Sequence, residues 1–161
     1  MPGSFLESRG GSLFPSAEDH RTHEFVASYL GGDGTVDNFK IDGGPPSALK
    51  TSGTRTEIIK RFDHELMPGD QCDVVITYTM HNTFPANKEG IGHVIEFETK
   101  AVELEVVFHR DRPCLNGELL KRYSGTVHNG GNCKRTTNGL RLAVEFKNPP
   151  LGAEYILQWE W

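Results

Sequence analysis

The sequence AVELEVVF, residues 101–108, decides the fold class of this chain because apolar and acidic side chains alternate along it. Successive side chains of an extended strand point to opposite sides, so Glu103 and Glu105 share one face. The other face carries four apolar side chains: Val102, Leu104, Val106 and Phe108. This pattern is typical of a strand that buries one face and exposes the other to water. We predict that the four apolar residues lie in the core between two sheets.

The same two-residue period recurs on both sides of this strand. It is clear over residues 72–80, 140–146 and 155–161, and turn sequences rich in glycine and proline separate the strands. One of these turns is Asn138-Gly139, the dipeptide preferred in two-residue type I′ hairpins. No long stretch has a convincing helical period. The sequence therefore predicts an all-β fold, an antiparallel two-sheet sandwich of the immunoglobulin-like type with about eight strands.

The first residues of the chain differ from the rest in composition. Residues 1–21 are rich in glycine, serine and charge, and they contain no apolar run of the kind found in a secretory signal. We predict a flexible N-terminal arm over residues 1–21, followed by the β-sandwich domain over residues 22–161. The chain has three cysteines, an odd number without close spacing, which disfavours a disulfide framework. We therefore expect reduced thiols and a cytoplasmic location.

The charge balance excludes several classes of partner. The chain of 161 residues has 17 Lys and Arg against 22 Asp and Glu, which gives a formal net charge of −5. Nucleic acids and anionic membrane surfaces bind clustered basic residues, so neither is an expected partner. The sequence also lacks an apolar run long enough to span a membrane. We expect the partner to be another protein or a neighbouring domain.

Motifs that carry chemistry are weak in this sequence. His20 and His23 have a spacing that could ligate one metal ion, but the glutamate of the His-Glu-x-x-His motif is missing. Cys114 follows His109 and two arginines, and such positive charge can lower the pKa of a thiol. We favour solvated histidines and unreactive thiols. The sequence therefore predicts no metal site, no cofactor and no enzymatic activity.

The final strand ends in two tryptophans, Trp159 and Trp161, which share one face. We favour the interpretation that both pack into the core. A second interpretation makes them an aromatic platform that binds a sugar or a peptide. A third makes them part of an interface with another domain, because so apolar a terminal strand needs cover.

The last two-thirds of the chain resemble a known type of domain. The resemblance rests on the Leu66–Asp70 turn before a strand, on Tyr78, on Thr99 at the start of the 101–108 strand, on Arg112-Pro113 and on the terminal Gly152–Trp161 segment. Over roughly residues 60–161 the chain resembles an uncharacterised β-sandwich domain found at the C-terminal end of bacterial regulatory and defence-type proteins. That domain ends in a Tyr-x-Leu-x-Trp-x-Trp strand. The resemblance implies an interaction or sensing module without catalytic residues.

Two functional hypotheses follow. The first is a non-enzymatic interaction or sensing module of a bacterial regulatory or defence protein. The alternative is a carbohydrate- or small-ligand-binding sandwich that uses its end loops or Trp159 and Trp161. The orientation of these two rings distinguishes the hypotheses, since a binding platform must be exposed.

Overall fold

The computed structural model describes residues 4–14, 22–30, 34–53, 55–67, 69–81 and 84–161. These residues form fourteen strands and no helix, so none of them belongs to a helix that could cross a membrane. The strands are β1 (Ser4–Phe14), β2 (Thr22–Leu30), β3 (Thr35–Ile41), β4 (Ala48–Ser52), β5 (Arg55–Leu66), β6 (Cys72–His81), β7 (Lys88–Val94), β8 (Glu98–Thr99), β9 (Ala101–Val107), β10 (Asn116–Tyr123), β11 (Thr126–Gly131), β12 (Lys134–Arg135), β13 (Arg141–Lys147) and β14 (Glu154–Glu160).

The strands are arranged in three antiparallel sheets. A seven-stranded sheet has the order β12-β13-β9-β1-β6-β3, with β8 paired to β1. A four-stranded sheet has the order β11-β10-β14-β7, and a three-stranded sheet has the order β2-β5-β4. The all-β prediction is confirmed. The predicted count of about eight strands is wrong, because it does not include short strands such as β8 and β12, which have only two residues. Strands β2, β4 and β5 pair among themselves and form a sheet beyond the two that were predicted.

The predicted flexible arm contains a strand in the structure. Ser4–Phe14 forms β1, which pairs with β6 on one side and with β9 on the other. Residues 1–3 and 15–21 of the predicted arm lie outside the described residues. Glycine and serine suggested a flexible segment, but the ladder uses backbone N–H and C=O groups, which every residue type except proline supplies in full.

The core prediction for residues 101–108 is confirmed. All four alternating apolar side chains are buried, with Val106 fully inaccessible to solvent. They belong to one cluster that also contains inward side chains of β10, β13 and β14. Phe146 of β13 and Tyr155 of β14 stack within it, with ring centroids 3.9 Å apart. The seven-stranded and four-stranded sheets therefore contribute side chains to a common core.

Strand β14 gives the four-stranded sheet two different faces. Tyr155, Leu157 and Trp159 are buried in the core cluster. The residues between them alternate to the opposite side, and none of these is fully buried. One face of the sheet therefore packs on the core, and the other faces away from it.

Candidate functional site

Trp159 lies in the core and not on a surface. Its side chain is 1% exposed. Phe84 and Phe108 contact it edge to face, with ring centroids 4.9 and 5.5 Å away. Its ring is also nearly perpendicular to that of Trp161, at 84° and 5.9 Å. The two indoles therefore do not form a flat surface on which a sugar could stack.

Trp161 is half-buried, and Arg112 covers one side of its ring. The guanidinium carbon of Arg112 lies 4.1 Å from the ring centroid. Arg112 also donates hydrogen bonds to the backbone carbonyl oxygens of Phe84 and Ala86. Arg112 thus ties the end of the chain to the segment before β7. Among the described residues, neither Trp159 Nε1 nor Trp161 Nε1 has a hydrogen-bond acceptor, which makes these indoles costly to bury.

Two cysteine thiols, those of Cys114 and Cys133, are held in their protonated form. Burial raises the pKa of the Cys114 thiol, although the positive charge of Arg135 and a backbone hydrogen bond with Asn116 act in the opposite direction. Burial, together with Cys114 and Glu118, raises the pKa of the Cys133 thiol to about 11. A protonated thiol is a poor nucleophile. The positive neighbours noted in the sequence around Cys114 therefore do not activate it.

The histidines do not converge in the described part of the chain. His81 contacts Asp37 at 3.2 Å, and His109 contacts Asp111 at 3.4 Å, at separate places. No group of three or more metal-ligating side chains occurs among the residues that the structure describes. The His20 and His23 pair lies outside the side chains described.

The surface with the most distinctive arrangement is the face of the four-stranded sheet that points away from the core. We call it the open face. Its residues follow from the strand registers, because directly paired residues point to the same side. They are Val127 and Asn129 of β11, Asn116, Glu118, Leu120 and Arg122 of β10, Glu154, Ile156, Gln158 and Glu160 of β14, and Lys88, Gly90, Gly92 and Val94 of β7.

Apolar side chains occupy the middle and both edges of the open face. Leu120 pairs directly with Ile156 across the two central strands, and both are only half-buried. Val127 on one edge strand is 51% exposed, and Val94 on the other is 48% exposed. Contiguous exposed apolar side chains on a soluble protein mark sites of interaction.

Two ion pairs cross the open face. Arg122 Nη1 donates to Glu154 Oε2 at 2.7 Å, and Lys88 Nζ donates to Glu118 Oε1 at 2.6 Å. The hydrogen bond and the negative charge of Glu118 raise the pKa of Lys88. Exposed pairs of this kind add little stability.

Two glycines on β7 let side chains of β14 lie over that strand. A Cβ at Gly90 would lie 3.0 Å from Gln158 Cγ, and one at Gly92 would lie 3.0 Å from Glu154 Oε1. Gln158 and Glu154 therefore lean across the edge strand. A small depression beside them, lined by Lys88, Glu118 and Gln158 among others, has room for about one water molecule.

Sequence reasoning missed this surface although a signal was present. The alternation along β14 predicts its buried side. On the opposite side, Ile156 is also apolar, and this is the signal for an apolar outer surface. Its partner Leu120 lies in a segment where the two-residue alternation is weak. The pairing of Leu120 with Ile156 is therefore known only from the strand register of the structure.

Comparison with known proteins adds no identification, since no family model, no curated protein and no solved structure matches this chain.

Proposed function

We propose that this chain is a protein-binding module whose binding surface is the open face. The observation that carries the proposal is a group of four apolar side chains on this face. Leu120 and Ile156 pair directly at its centre, and Val127 and Val94 lie at the two edges of the adjacent row. The ion pair of Arg122 and Glu154 lies between the two valines of that row. Apolar contacts give affinity in a protein interface, and charges give orientation and specificity.

The shape of the open face favours a macromolecule over a small ligand. Sites for small molecules are concave and have volumes of roughly 300–1,000 Å³. The depression beside Lys88 and Gln158 holds about one water molecule, which is too little for a sugar ring. The perpendicular rings of Trp159 and Trp161 offer no stacking surface. These features support a protein partner rather than the carbohydrate alternative.

The wider setting of this module is also a proposal. The common core of the seven-stranded and four-stranded sheets supports two layers of an immunoglobulin-like sandwich, on which the open face is an outer surface. The resemblance of residues 60–161 supports a non-enzymatic module of a bacterial regulatory or defence protein, acting in the cytoplasm. Its partner would be a separate protein or a neighbouring domain.

The proposal is tested by site-specific photo-crosslinking in the cells that produce the protein. A photoreactive phenylalanine derivative is placed at Val127 and, as a matched control, at Leu49 of β4. Both positions lie on edge strands, and they are 51% and 48% exposed. We expect one discrete crosslinked protein species from position 127 and none from position 49. Ile156→Lys, combined with the probe at position 127, should remove that species without changing the melting temperature.

Equal crosslinking from both positions, or none from either, would contradict a role for the open face. So would a crosslinked species that persists in the Ile156→Lys variant.

A further inference from the structure

The open face has an arrangement that is complementary to itself. We call a row the paired residues that lie side by side across β11, β10, β14 and β7. The row at the Glu154 end of β14 has the order Val127, Arg122, Glu154, Val94. Reversal of this order exchanges the arginine with the glutamate and one valine with the other. A surface with this property can pair with its own copy.

One two-fold axis brings each row of one copy against the same row of the second copy in reversed order. The axis lies in the plane of the interface, parallel to the strands and midway between β10 and β14. Each residue of β10 then faces the paired position of β14 in the second copy. Arg122 faces Glu154, and Leu120 faces Ile156. On the remaining rows Glu118 faces Gln158, and Asn116 faces Glu160, so no like charges meet.

A two-fold axis perpendicular to the strands and midway along β14 gives a poor match. An axis perpendicular to the strands would place each β14 against β14 of the second copy in the reverse direction. With this axis midway along β14, at Leu157, Glu154 would face Glu160, and Ile156 would face Gln158. Like charges that face each other across an interface are strongly unfavourable. The axis parallel to the strands avoids this contact and pairs Arg122 with Glu154 of the second copy.

The size of the sheet sets the strength of the contact. Four strands at a spacing of about 4.8 Å and seven residues at about 3.3 Å each give a projected area of roughly 440 Å² for each copy. The two copies together cover roughly 900 Å², below the usual range for stable complexes. The contact is therefore reversible and dependent on concentration.

We infer that the occupant of the open face is a second copy of this chain, in a symmetric dimer that pairs Arg122 with Glu154 and Leu120 with Ile156. This inference rests on the proposed function and names the partner. The intrachain ion pair of Arg122 and Glu154 in each copy, two in all, is exchanged for two pairs between the copies. The apolar side chains of both sheets leave water at the same time.

Sedimentation equilibrium of the purified chain over a range of concentrations tests the inference. The wild type should be in reversible equilibrium between monomer and dimer. Arg122→Glu and Glu154→Arg should each raise the dissociation constant by about tenfold or more, because each opposes like charges in the dimer. Leu49→Lys, on an edge strand of a different sheet, should leave the dissociation constant unchanged.

A mixture of the two single variants separates contacts between copies from contacts within one chain. In an equimolar mixture, Glu at position 122 meets Arg at position 154 of the other variant, and Arg122 of that variant meets Glu154. The mixture should dimerise with a lower dissociation constant than either variant alone. Circular dichroism confirms that both variants are folded. A wild type that stays monomeric at every concentration, or a mixture that stays monomeric, would overturn the inference.

Failure of this inference differs from failure of the proposed function. If the chain is monomeric but the probe at position 127 crosslinks a different protein, the open face binds a partner other than its own copy. If the probe crosslinks nothing, the proposed function itself fails.

Discussion

Gly139 shows how a single residue fixes a connection between strands. Its φ angle is +68°, and a Cβ at this position would lie 2.4 Å from the backbone oxygen of Cys114. The sequence predicts a type I′ turn at Asn138-Gly139, which requires positive φ at both residues. Only Gly139 has it, and its N–H donates to the carbonyl of Thr136 at 2.9 Å. The loop is therefore a longer turn that ends in a left-handed glycine.

Gly139→Ala should destabilise the fold by on the order of 3 kcal/mol, because it adds a clash with Cys114 to backbone strain. Gly125→Ala is the matched control. Gly125 also has a positive φ, +77°, but a Cβ there would meet nothing within 4 Å. The control should cost about 1 kcal/mol. Urea denaturation measures both, and equal losses would contradict the clash.

His93 predicts a pH dependence of stability. It lies on the inner face of β7 opposite Tyr155, and burial lowers its pKa from the ordinary value of 6.5. The unfolded chain therefore binds a proton at a higher pH than the folded chain. The contribution of neutral His93 to stability is complete above pH 6.5 and is lost as pH falls from 6.5 through the lower pKa of the folded state.

The measurement compares melting temperature against pH for the wild type and for His93→Gln. The wild type should lose more stability than the variant as pH falls through this window. Parallel curves for the two proteins would show that His93 does not titrate differently in the folded state.

At the scale of elements, β14 is the strand on which the four-stranded sheet depends. It pairs with β10 on one side and β7 on the other, and three of its side chains are buried in the core. A chain that ends at Glu154 should therefore be unfolded or aggregated. Loss of one buried aromatic side chain alone costs about 3–5 kcal/mol, a large share of a typical stability of about 5–15 kcal/mol.

The control for this truncation is a chain that lacks only Trp161. It keeps all of β14, and it should remain folded with a lower melting temperature. Dispersion of the amide NMR spectrum distinguishes the outcomes. A well-dispersed spectrum from the chain that ends at Glu154 would show that β14 is not needed for folding.

The elements also show where sequence reasoning succeeds. β9 and β14 were predicted with the correct buried faces, because a strict two-residue period directly encodes which side meets the core. β1 was missed because its sequence, SFLESRGGSLF, combines glycine and charge without a clear period. Its place between β6 and β9 depends on backbone pairing with distant residues, which a local pattern does not contain.

At the scale of the whole molecule, the all-β class was predictable and the division into three sheets was not. Strand pairing joins residues far apart in sequence, such as Leu120 with Ile156 and Ile156 with Gly92. These pairings create the open face, and they cannot be derived from the alternation of any single strand. The sequence favours burial of both tryptophans in the core. The structure packs Trp159 there, whereas Trp161 is half-buried.

The central claim is that the open face is the surface at which this chain binds a protein. Methyl NMR of the labelled chain tests it most directly, recorded over a concentration series and with any crosslinked partner. Methyl resonances of Val94, Leu120, Val127 and Ile156 should shift or broaden together, while those of Leu49 stay constant. The claim would be contradicted if the open-face methyl resonances stayed constant both over the concentration series and with the partner. It would also be contradicted if the methyl resonances of Leu49 changed equally.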